Sequence, residues 1–399
     1  MRFSDNAMCA ILLCSYLGIR SDDAIKPFSL GEWNEFLDKV IEMKEEPCAI
    51  LRKDFDIANQ MKYTDAYAER IRNLVSRGAG VAFELDDLEK KGIQVITLFD
   101  ADYPILLRRK LKKKMPPVLF YAGDIKLSKK VGIAVVGSRN VNQEGIEFTK
   151  KLVEKAAGEK LVIYSGGAKG VDTISEMTAI NAGSAVVSFV ADSLLTKIKK
   201  KEVLDNIMAG RLLLISDVKP DVGFSAARAM NRNKYIYASS YGAFVVSSDY
   251  NKGGTWGGAT ESMRNGLSKT FVWDHKEYLG NQKLIEKGAI PYELSNERIY
   301  TVITKEEKRF DQLNLFNLSQ TDIDAERKRE DNTIISENRE SKDLYDIVKV
   351  YIKDHMNKGM SIEEASLEFN VAKGQMAMWL KRLCKENLIK CDEGIYSKI

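Results

Sequence analysis

The sequence predicts an α/β protein whose largest domain is a doubly wound, mostly parallel sheet, with helices before it and a winged helix after it. First, strand-like and helix-like patterns alternate from about residue 131 to 304, as in a parallel sheet covered on both faces. Second, two neighbouring apolar runs, VGIAVV and KLVIY, each end in a loop of glycine, serine and one cation. Third, the C-terminal residues show three helical patterns and a hairpin.

Helical periodicity extends from Asp5 to about Arg77 and predicts a small helical domain over residues 1–85. The sheet domain is expected over residues 86–304. It begins with KKGIQVITLFDADYPILLRR and MPPVLFYAGD, whose short strand-like runs and prolines predict an extended lead-in to the sheet.

Six strands and five helices are predicted in the rest of this domain. The strands are Gly132–Val136, Leu161–Tyr164, Ala185–Val190, Leu212–Ser216, Ala243–Ser247 and Thr270–Trp273. The helices are Asn142–Ala157, Thr173–Asn181, Lys199–Met208, Ala226–Ser239 and Gly257–Arg264.

Residues 305–341 are predicted to form a flexible linker because apolar content drops and charges crowd together. Residues 342–399 are predicted to form the winged helix, with a capping box at Ser361–Glu364. Its third helix, Val371–Glu386, is expected to bury Met376, Leu380 and Leu383. The outward cations Lys373, Lys381 and Arg382 are secondary candidates for DNA binding.

Composition indicates a cytoplasmic protein without a membrane span, because the sequence has no run of about 18 apolar residues and no secretory signal. Five scattered cysteines without a CxxC pair indicate buried thiols, and with two histidines they leave little material for a metal site; none is predicted. The net charge of +4 permits nucleic-acid binding without requiring it.

The two strand-ending loops predict a crevice for an anionic, phosphate-rich ligand, because the carboxyl ends of adjacent parallel strands open side by side. Two more segments are expected to join it. The first is Arg232-Asn233-Lys234, placed near a helix start with both cations facing the crevice. The second is the glycine loop Gly253–Gly258, in which Trp256 either stacks on a base or fills the core.

The candidate phosphate-binding residues come from these four segments, with two lysines as secondary candidates. They are Gly137, Ser138, Arg139, Ser165, Gly166, Gly167, Lys169, Arg232, Asn233, Lys234, Gly254 and Thr255, with Lys199 and Lys200 secondary. Tight strand-to-helix turns without a ligand, and charges that are merely solvated, are the alternatives.

Coenzyme binding and catalysis are disfavoured. The first loop lacks G-x-G-x-x-G, and Tyr164-Ser165 stands where a ribose-binding acid would end the second strand. Ser165 has no G-x-S-x-G context, and Asp172 is expected to cap the helix that it begins. No catalytic residue and no cofactor are therefore predicted, and the chain is not expected to be an enzyme.

The order of these segments resembles the DprA/Smf family, over about Tyr63 to Ile290. The resemblance rests on Asp102-Tyr103-Pro104, Pro116–Phe120, Gly137-Ser138-Arg139, Ser165–Asp172, Arg232-Asn233-Lys234 and Gly253-Gly254-Thr255. It implies a Rossmann-like domain that binds single-stranded DNA, forms a homodimer and loads a RecA-type recombinase during transformation. Arg139 resembles the family's phosphate-contacting arginine, Ser165, Gly166, Gly167 and Lys169 fall in its phosphate loop, and Arg232 falls in its R-N-R element.

Some positions depart from the family pattern. R-N-K replaces R-N-R, the preceding Phe-Pro is absent, GGTW replaces Ser-Gly-Ser, and Ser175-Glu176 stands in place of a histidine. These departures favour a divergent member of the family, for instance one in a phage-defence locus. The N-terminal helices are expected to form a SAM/HhH-like domain.

The linker contains Gln312-Leu313-Asn314-Leu315-Phe316, which resembles the Q-L-x-L-F peptide by which replication proteins bind the sliding clamp. Packing of these residues back onto the sheet domain is the alternative.

Two other functions remain open for the whole chain. One is a nucleotide-derived ligand sensor or hydrolase of the related Rossmann-like superfamily, and the other is an antitoxin-like or scaffold partner.

Overall fold

The computed structural model describes residues 3–19, 25–304, 352, 359–368, 373–386, 388–392 and 394–398. It divides into two compact units, Met1–Phe316 and Asn317–Ile399. The linker with the Gln312–Phe316 peptide lies outside the described residues, as does nearly all of the helix predicted before residue 356.

The first unit begins with five helices that pack against one face of the sheet. They are α1 (Asp5–Cys14), α2 (Leu30–Glu42), α3 (Ile57–Met61), α4 (Asp65–Val75) and α5 (Gly78–Lys90), with a 3-10 helix at Pro47–Leu51. Leu13, Trp33 and Phe36 from these helices share one apolar core with Val95 and Ile133 of the sheet. The predicted boundary at residue 85 therefore lies inside one compact unit, and it stays a prediction.

Nine strands form the sheet of this unit. They are β1 (Gln94–Thr97), β2 (Val118–Ala122), β3 (Gly132–Val136), β4 (Val162–Ser165), β5 (Val186–Phe189), β6 (Leu212–Ser216), β7 (Gly242–Val245), β8 (Lys269–Trp273) and β9 (Ile290–Tyr292). Their order is β1-β2-β6-β5-β4-β3-β7-β8-β9. The strands from β6 to β9 are parallel, whereas β1 and β2 are antiparallel additions at one edge. The predicted fold class is thereby confirmed, and the extended lead-in supplies the two antiparallel strands β1 and β2.

Eight further helices cover the sheet, and a helical segment follows over residues 299–304. They are α6 (Ile105–Leu111), α7 (Gln143–Gly158), α8 (Val171–Asn181), α9 (Leu194–Lys197), α10 (Lys201–Met208), α11 (Ala226–Ser239), α12 (Gly253–Asn265) and α13 (Leu279–Glu286), with 3-10 helices at Lys112–Lys114 and Ile125–Lys129. Strand β3 pairs with both β4 and β7, so the strand order reverses there. A crevice outside the carboxyl ends of the strands is expected at such a point.

Helix α12 corrects the prediction of a glycine loop at Gly253–Gly258, because these residues are its first turns. The glycines allow close packing instead: a Cβ on Gly258 would lie 3.0 Å from the ring of Tyr237 and 3.3 Å from Cβ of Asn233 on α11. Trp256 is 8% exposed and packs edge-on against Tyr250, so it fills the core.

The described part of the second unit contains α14 (Ile362–Glu368), α15 (Lys373–Lys385) and a hairpin of β10 (Ile389–Asp392) and β11 (Ile395–Lys398). The predicted capping box is confirmed, because Glu364 N–H donates to Ser361 Oγ and Ser361 N–H donates to Glu364 Oε2. Met376, Leu380 and Leu383 are fully buried, as predicted. Lys373, Lys381 and Arg382 are exposed.

Among the described residues, no helix is both long and apolar enough to cross a bilayer. All five cysteines are free; Cys9 is buried as predicted, whereas Cys391 is exposed.

Candidate functional site

A cavity of about 460 Å³ opens at the carboxyl edge of the sheet, beside the reversal point of the strand order. The loop after β3, one face of α11 and the first turn of α12 line it. Seven of the predicted residues meet in its lining: Gly137, Ser138, Arg139, Arg232, Asn233, Gly254 and Thr255. Its charged lining residues are Arg139, Arg232 and Lys252, facing Asp172 and Asp249.

The loops after β3 and β4 interlock, as the sequence predicts. Gly170 has a φ of +80°, and a Cβ there would lie 2.4 Å from the carbonyl oxygen of Ser138. A Cβ on Gly137 would lie 2.4 Å from a methyl group of Val171. Ser138 N–H donates to the Ser247 carbonyl oxygen at 3.0 Å, which ties the first loop to the strand on its other side. Glycine at these positions lets the two loops meet at the mouth of the cavity.

Arg232 lies beneath the second loop and is 5% exposed. A Cβ on Gly166 would lie 1.2 Å from its Nη1 atom, so the guanidinium occupies the space that the missing side chain leaves. Within the described part of the chain, its Nε and Nη1 atoms are buried without a hydrogen-bond acceptor, and the Asp172 carboxylate is 4.0 Å away. A buried cation with unused donors is costly unless an anion completes its shell. The cavity that Arg232 lines is open to such an anion.

Two carboxylates shape the second loop from below. Asp172 Oδ2 accepts from Ala168 N–H at 3.4 Å. Glu176 Oε1 accepts from Gly167 N–H at 2.9 Å and from the Ser188 hydroxyl at 2.7 Å. The predicted capping role of Asp172 is wrong, because Gly170 is the N-cap of α8 and no side chain caps it. Asp172 instead holds the loop that precedes the helix.

Burial is the largest influence on the pKa values of Asp172, Glu176 and Arg232. It raises the pKa of Asp172, against the opposing effects of Arg232 and the loop N–H groups. It also raises the pKa of Glu176, against the hydrogen bond from Ser188. Burial lowers the pKa of Arg232 while Asp172 and Glu176 oppose it, and a guanidinium remains charged at neutral pH.

The N-terminus of α12 adds backbone donors to the cavity. Its N-cap is Lys252, and no side-chain hydrogen bond caps it. The first N–H groups of a helix lack partners within the helix and carry partial positive charge. Asn233 Nδ2 donates to the Gly254 carbonyl oxygen at 3.1 Å, so Asn233 positions this helix start against α11.

An exposed aromatic ring that the sequence pattern did not single out lies beside Arg139, a residue of the cavity lining. Phe224 is 57% exposed, and the Arg139 guanidinium carbon lies 5.7 Å from its ring centroid. An exposed phenylalanine in the Gly-Phe-Ser segment before α11 was the available signal.

Five of the predicted residues do not line the cavity. Ser165 is fully buried, and Gly166 and Gly167 wrap the Arg232 guanidinium and the Glu176 carboxylate from outside. Lys169 is exposed beside the opening. The prediction that Arg232 and Lys234 face one crevice is wrong, because both lie in the middle of α11 and residues two apart on a helix diverge by about 200°.

The lysine run after β5 contributes through a different residue than predicted. Lys199 and Lys200 are exposed and do not line the cavity. Lys197 pairs with Asp192 at 3.4 Å, and its Nζ lies 3.6 Å from the point where a Gly167 Cβ would stand. Lys197 is therefore the lysine of this run that approaches the second loop. Residue type alone does not distinguish it from its lysine neighbours.

One further group in the described chain offers metal-ligand atoms, namely Glu144, His275 and Glu277. Its members already have partners: His275 Nε2 pairs with Glu144 at 2.9 Å, and Asn142 Nδ2 donates to Glu277 at 3.1 Å. Glu144 also lies in the first turn of α7, whose positive end favours a carboxylate over a cation.

Comparison with known proteins gives consistent matches. A family model described as DNA recombination-mediator protein A matches residues 94–303. The DNA processing protein DprA of Streptococcus pneumoniae is 30% identical over 139 residues, which cover 35% of this chain and 49% of that protein. DprA of Bacillus subtilis is 28% identical over 205 residues, which cover 50% of this chain and 68% of that protein. This chain thus spans about half the length of the pneumococcal relative.

The X-ray structure of DprA from Streptococcus pneumoniae superposes with a TM-score of 0.53 at 21% identity. The superposition covers 73% of this chain and 95% of that one. At this identity the likeness shows a shared fold.

Proposed function

The chain belongs to the DprA/Smf family of DNA-processing proteins, and from that premise we propose that its cavity binds the phosphate backbone of single-stranded DNA. The buried guanidinium of Arg232 carries the proposal. Its Nε and Nη1 lack acceptors in the described structure, and it lines an open cavity. A phosphate oxygen would provide the charge and the acceptors that this side chain lacks.

The rest of the lining suits a phosphate. The open N-terminus of α12 supplies backbone donors, and Arg139 and Lys252 add positive charge at the opening. Backbone contacts of this kind do not depend on base identity, so binding is expected to be nearly independent of sequence.

Phe224 favours a single strand over a duplex. Its exposed ring beside Arg139 offers a base a stacking surface, and base stacking on an aromatic side chain contributes about 1–3 kcal/mol. The bases of a duplex are already stacked on one another, so they do not gain from this surface.

Binding fits the lining better than catalysis does. No histidine or cysteine occurs among the described residues that line the cavity. Of its two carboxylates, Asp172 is held by the second loop and by Arg232. Among the described residues of the lining, neither the Ser138 nor the Thr255 hydroxyl is hydrogen-bonded to a carboxylate that could act as its base.

Fluorescence anisotropy with oligonucleotides of several sequences tests the proposal. Affinity should fall steeply with salt, and Arg139→Ala should weaken every sequence alike, by about fivefold. Lys151→Ala, which removes an exposed lysine of α7 away from the cavity, is the matched control. A salt-independent affinity, or normal binding by Arg139→Ala, would refute the proposal. Thermal stabilisation by mononucleotides but not by oligonucleotides would favour the ligand sensor or hydrolase.

Family membership also motivates finer proposals about partners. We propose that a homodimer transfers the bound strand to a RecA-type recombinase, in transformation or in a phage-defence variant of that role. Lys373, Lys381 and Arg382 on α15 would add a second nucleic-acid contact, since they are exposed. Light scattering tests the dimer, and co-purification with the recombinase on single-stranded DNA tests the transfer. Clamp binding by Gln312–Phe316 stays a prediction.

A further inference from the structure

A second cavity lies on the other side of α11 from the first, and we call it the lysine groove. It has a volume of about 590 Å³ and is bounded by the 3-10 helix Lys112–Lys114, by α11 and by the C-terminal end of α12. Six cations line it, against the single carboxylate of Glu261: Arg109, Lys110, Lys112, Lys113, Lys114 and Lys234.

Three of these cations have no carboxylate partner among the described residues. Lys113 contacts both carboxylate oxygens of Asp38 at 2.8 Å. Lys234 donates to an uncharged oxygen, that of the Asn231 side chain, at 2.7 Å. Across the described ranges, no carboxylate comes within ion-pair distance of Arg109, Lys112 or Lys114, all of which are exposed. Like charges held this close repel each other, so an anion in the groove would relieve the repulsion.

The backbone of the lysine run is held in place from both ends. Asn34 Nδ2 donates to the Lys113 carbonyl oxygen at 2.8 Å, and the Tyr103 hydroxyl donates to the Pro116 carbonyl oxygen at 2.8 Å. Lys112 has a φ of +50°, a left-handed conformation that is costly for a residue with a side chain. These contacts therefore hold the backbone of residues 112–116 beside the groove.

Lys234 shows that part of the groove is shielded from water. Burial lowers its pKa, and the charge of Lys114 lowers it further, against the effects of Asp217 and Glu261. A lysine that is partly desolvated beside another lysine gains more from a bound anion than a fully solvated one does.

The shape and lining of the groove indicate which anion it takes. It has no aromatic lining residue, so it offers charge to a backbone but no stacking surface to a base. It also shares two helices with the first cavity: α11 presents Arg232 to one and Lys234 to the other, and α12 contributes Thr255 to one and Glu261 to the other. A polyanion held in the first cavity is thus close to the groove.

We propose that the lysine groove binds the phosphate backbone of the same nucleic-acid strand, outside the segment held in the first cavity. This inference rests on the function proposed above, and it makes the binding site longer than one cavity. The strand would contact a buried arginine in the first cavity, and in the groove the exposed lysines of residues 112–114 together with the half-buried Lys234.

Oligothymidylates of two lengths test the inference by fluorescence anisotropy, one of about 6 nucleotides and one of about 30 nucleotides. The triple variant Lys112→Gln, Lys114→Gln, Lys234→Gln should bind the short strand normally and the long strand about tenfold more weakly. Its plot of log affinity against log salt should be less steep by about 2 for the long strand, since each phosphate contact contributes about 0.7.

The matched control removes three exposed lysines that line neither cavity, by Lys150→Gln, Lys151→Gln and Lys287→Gln. It should leave the length dependence unchanged. If the triple variant is not folded, Lys114→Gln alone should still reduce the long-strand affinity and the salt dependence.

Unchanged long-strand affinity in a folded variant overturns the inference. Equal loss for short and long strands overturns it as well. Failure of the first proposal is distinguishable, because it appears as normal short-strand binding by a variant of Arg232.

Discussion

The two cavities beside α11 hold cations in different physical states. Arg232 is 5% exposed, lies against Gly166 and has the Asp172 carboxylate at 4.0 Å. On the other face, Lys234 faces the exposed lysines Lys112 and Lys114 across a groove with one carboxylate. The first cavity holds one guanidinium in a defined position, whereas the lysine groove distributes positive charge over a surface.

The difference shows how one helix can divide nucleic-acid binding into two parts. A buried, positioned arginine sets where a phosphate sits, and its contribution is shielded from salt. Solvated lysines add affinity that falls with salt and tolerates small shifts of the strand. Variants of Arg232, Gly166 and Asp172 test each part of this contrast.

Replacing Arg232 should have the largest effect. We expect Arg232→Ala to weaken short-strand binding about hundredfold, because a charge-assisted contact of about 2–3 kcal/mol is lost in a desolvated site. Arg232→Lys should recover part of the affinity, since it restores the charge but not the forked donors. Titrations of both variants by anisotropy, with folding checked by circular dichroism, measure this. Equal binding by wild type and a folded Arg232→Ala would remove the distinction between the two faces.

The substitution Gly166→Ala should displace the same arginine. The new Cβ would lie 1.2 Å from Nη1 of Arg232, so the guanidinium must move. We expect the free energy of unfolding to fall by about 1–3 kcal/mol through overpacking, and the affinity to fall about tenfold. Gly158→Ala is the control, because nothing lies within 4 Å of a Cβ there. Normal affinity of Gly166→Ala would mean that the guanidinium position is unimportant.

The smallest effect is expected at Asp172, whose carboxylate competes with a bound phosphate for Arg232. Because burial raises its pKa, protonation on lowering the pH should strengthen binding. Asp172→Asn should bind a few-fold more tightly at neutral pH and lose this part of the pH dependence. Asp205→Asn, at an exposed position of α10, should match wild type. Anisotropy at several pH values and constant salt measures both; weaker binding by Asp172→Asn would contradict the competition.

The raised pKa of Asp172 also makes the free energy of unfolding depend on pH. A carboxyl whose pKa is raised by folding contributes stability that is present below its unfolded pKa of about 3.9 and is lost as the pH rises through the folded value. Ionisation of Asp172 as the pH rises therefore reduces stability, although its carboxyl group holds the second loop through Ala168.

Much of the fold follows from local patterns. The bounds of β3, β6 and α11 agree with the prediction, because short apolar runs and one helical periodicity determine them. The start of α12 was missed since glycine is a poor helix former; its glycines are used to approach Asn233 and Tyr237, a contact made far along the chain. Such long-range packing leaves no local signal.

The candidate site was predictable in its loops and less so in its side chains. Helical phase alone separates Arg232 from Lys234, so that error was avoidable. The carboxylates under the second loop were not predictable, because Glu176 reaches Gly167 and Ser188 only once β4, β5 and α8 have assembled.

The two edges of the sheet have a consequence for how this protein behaves at high concentration. Strand β1 has four residues, and β9 has three with Pro291 at its centre. Short edges and a proline offer another chain few free backbone donors, so strand-to-strand aggregation is disfavoured. A second copy of this chain would then associate through helix and loop surfaces. The sheet would not continue from one molecule into the next.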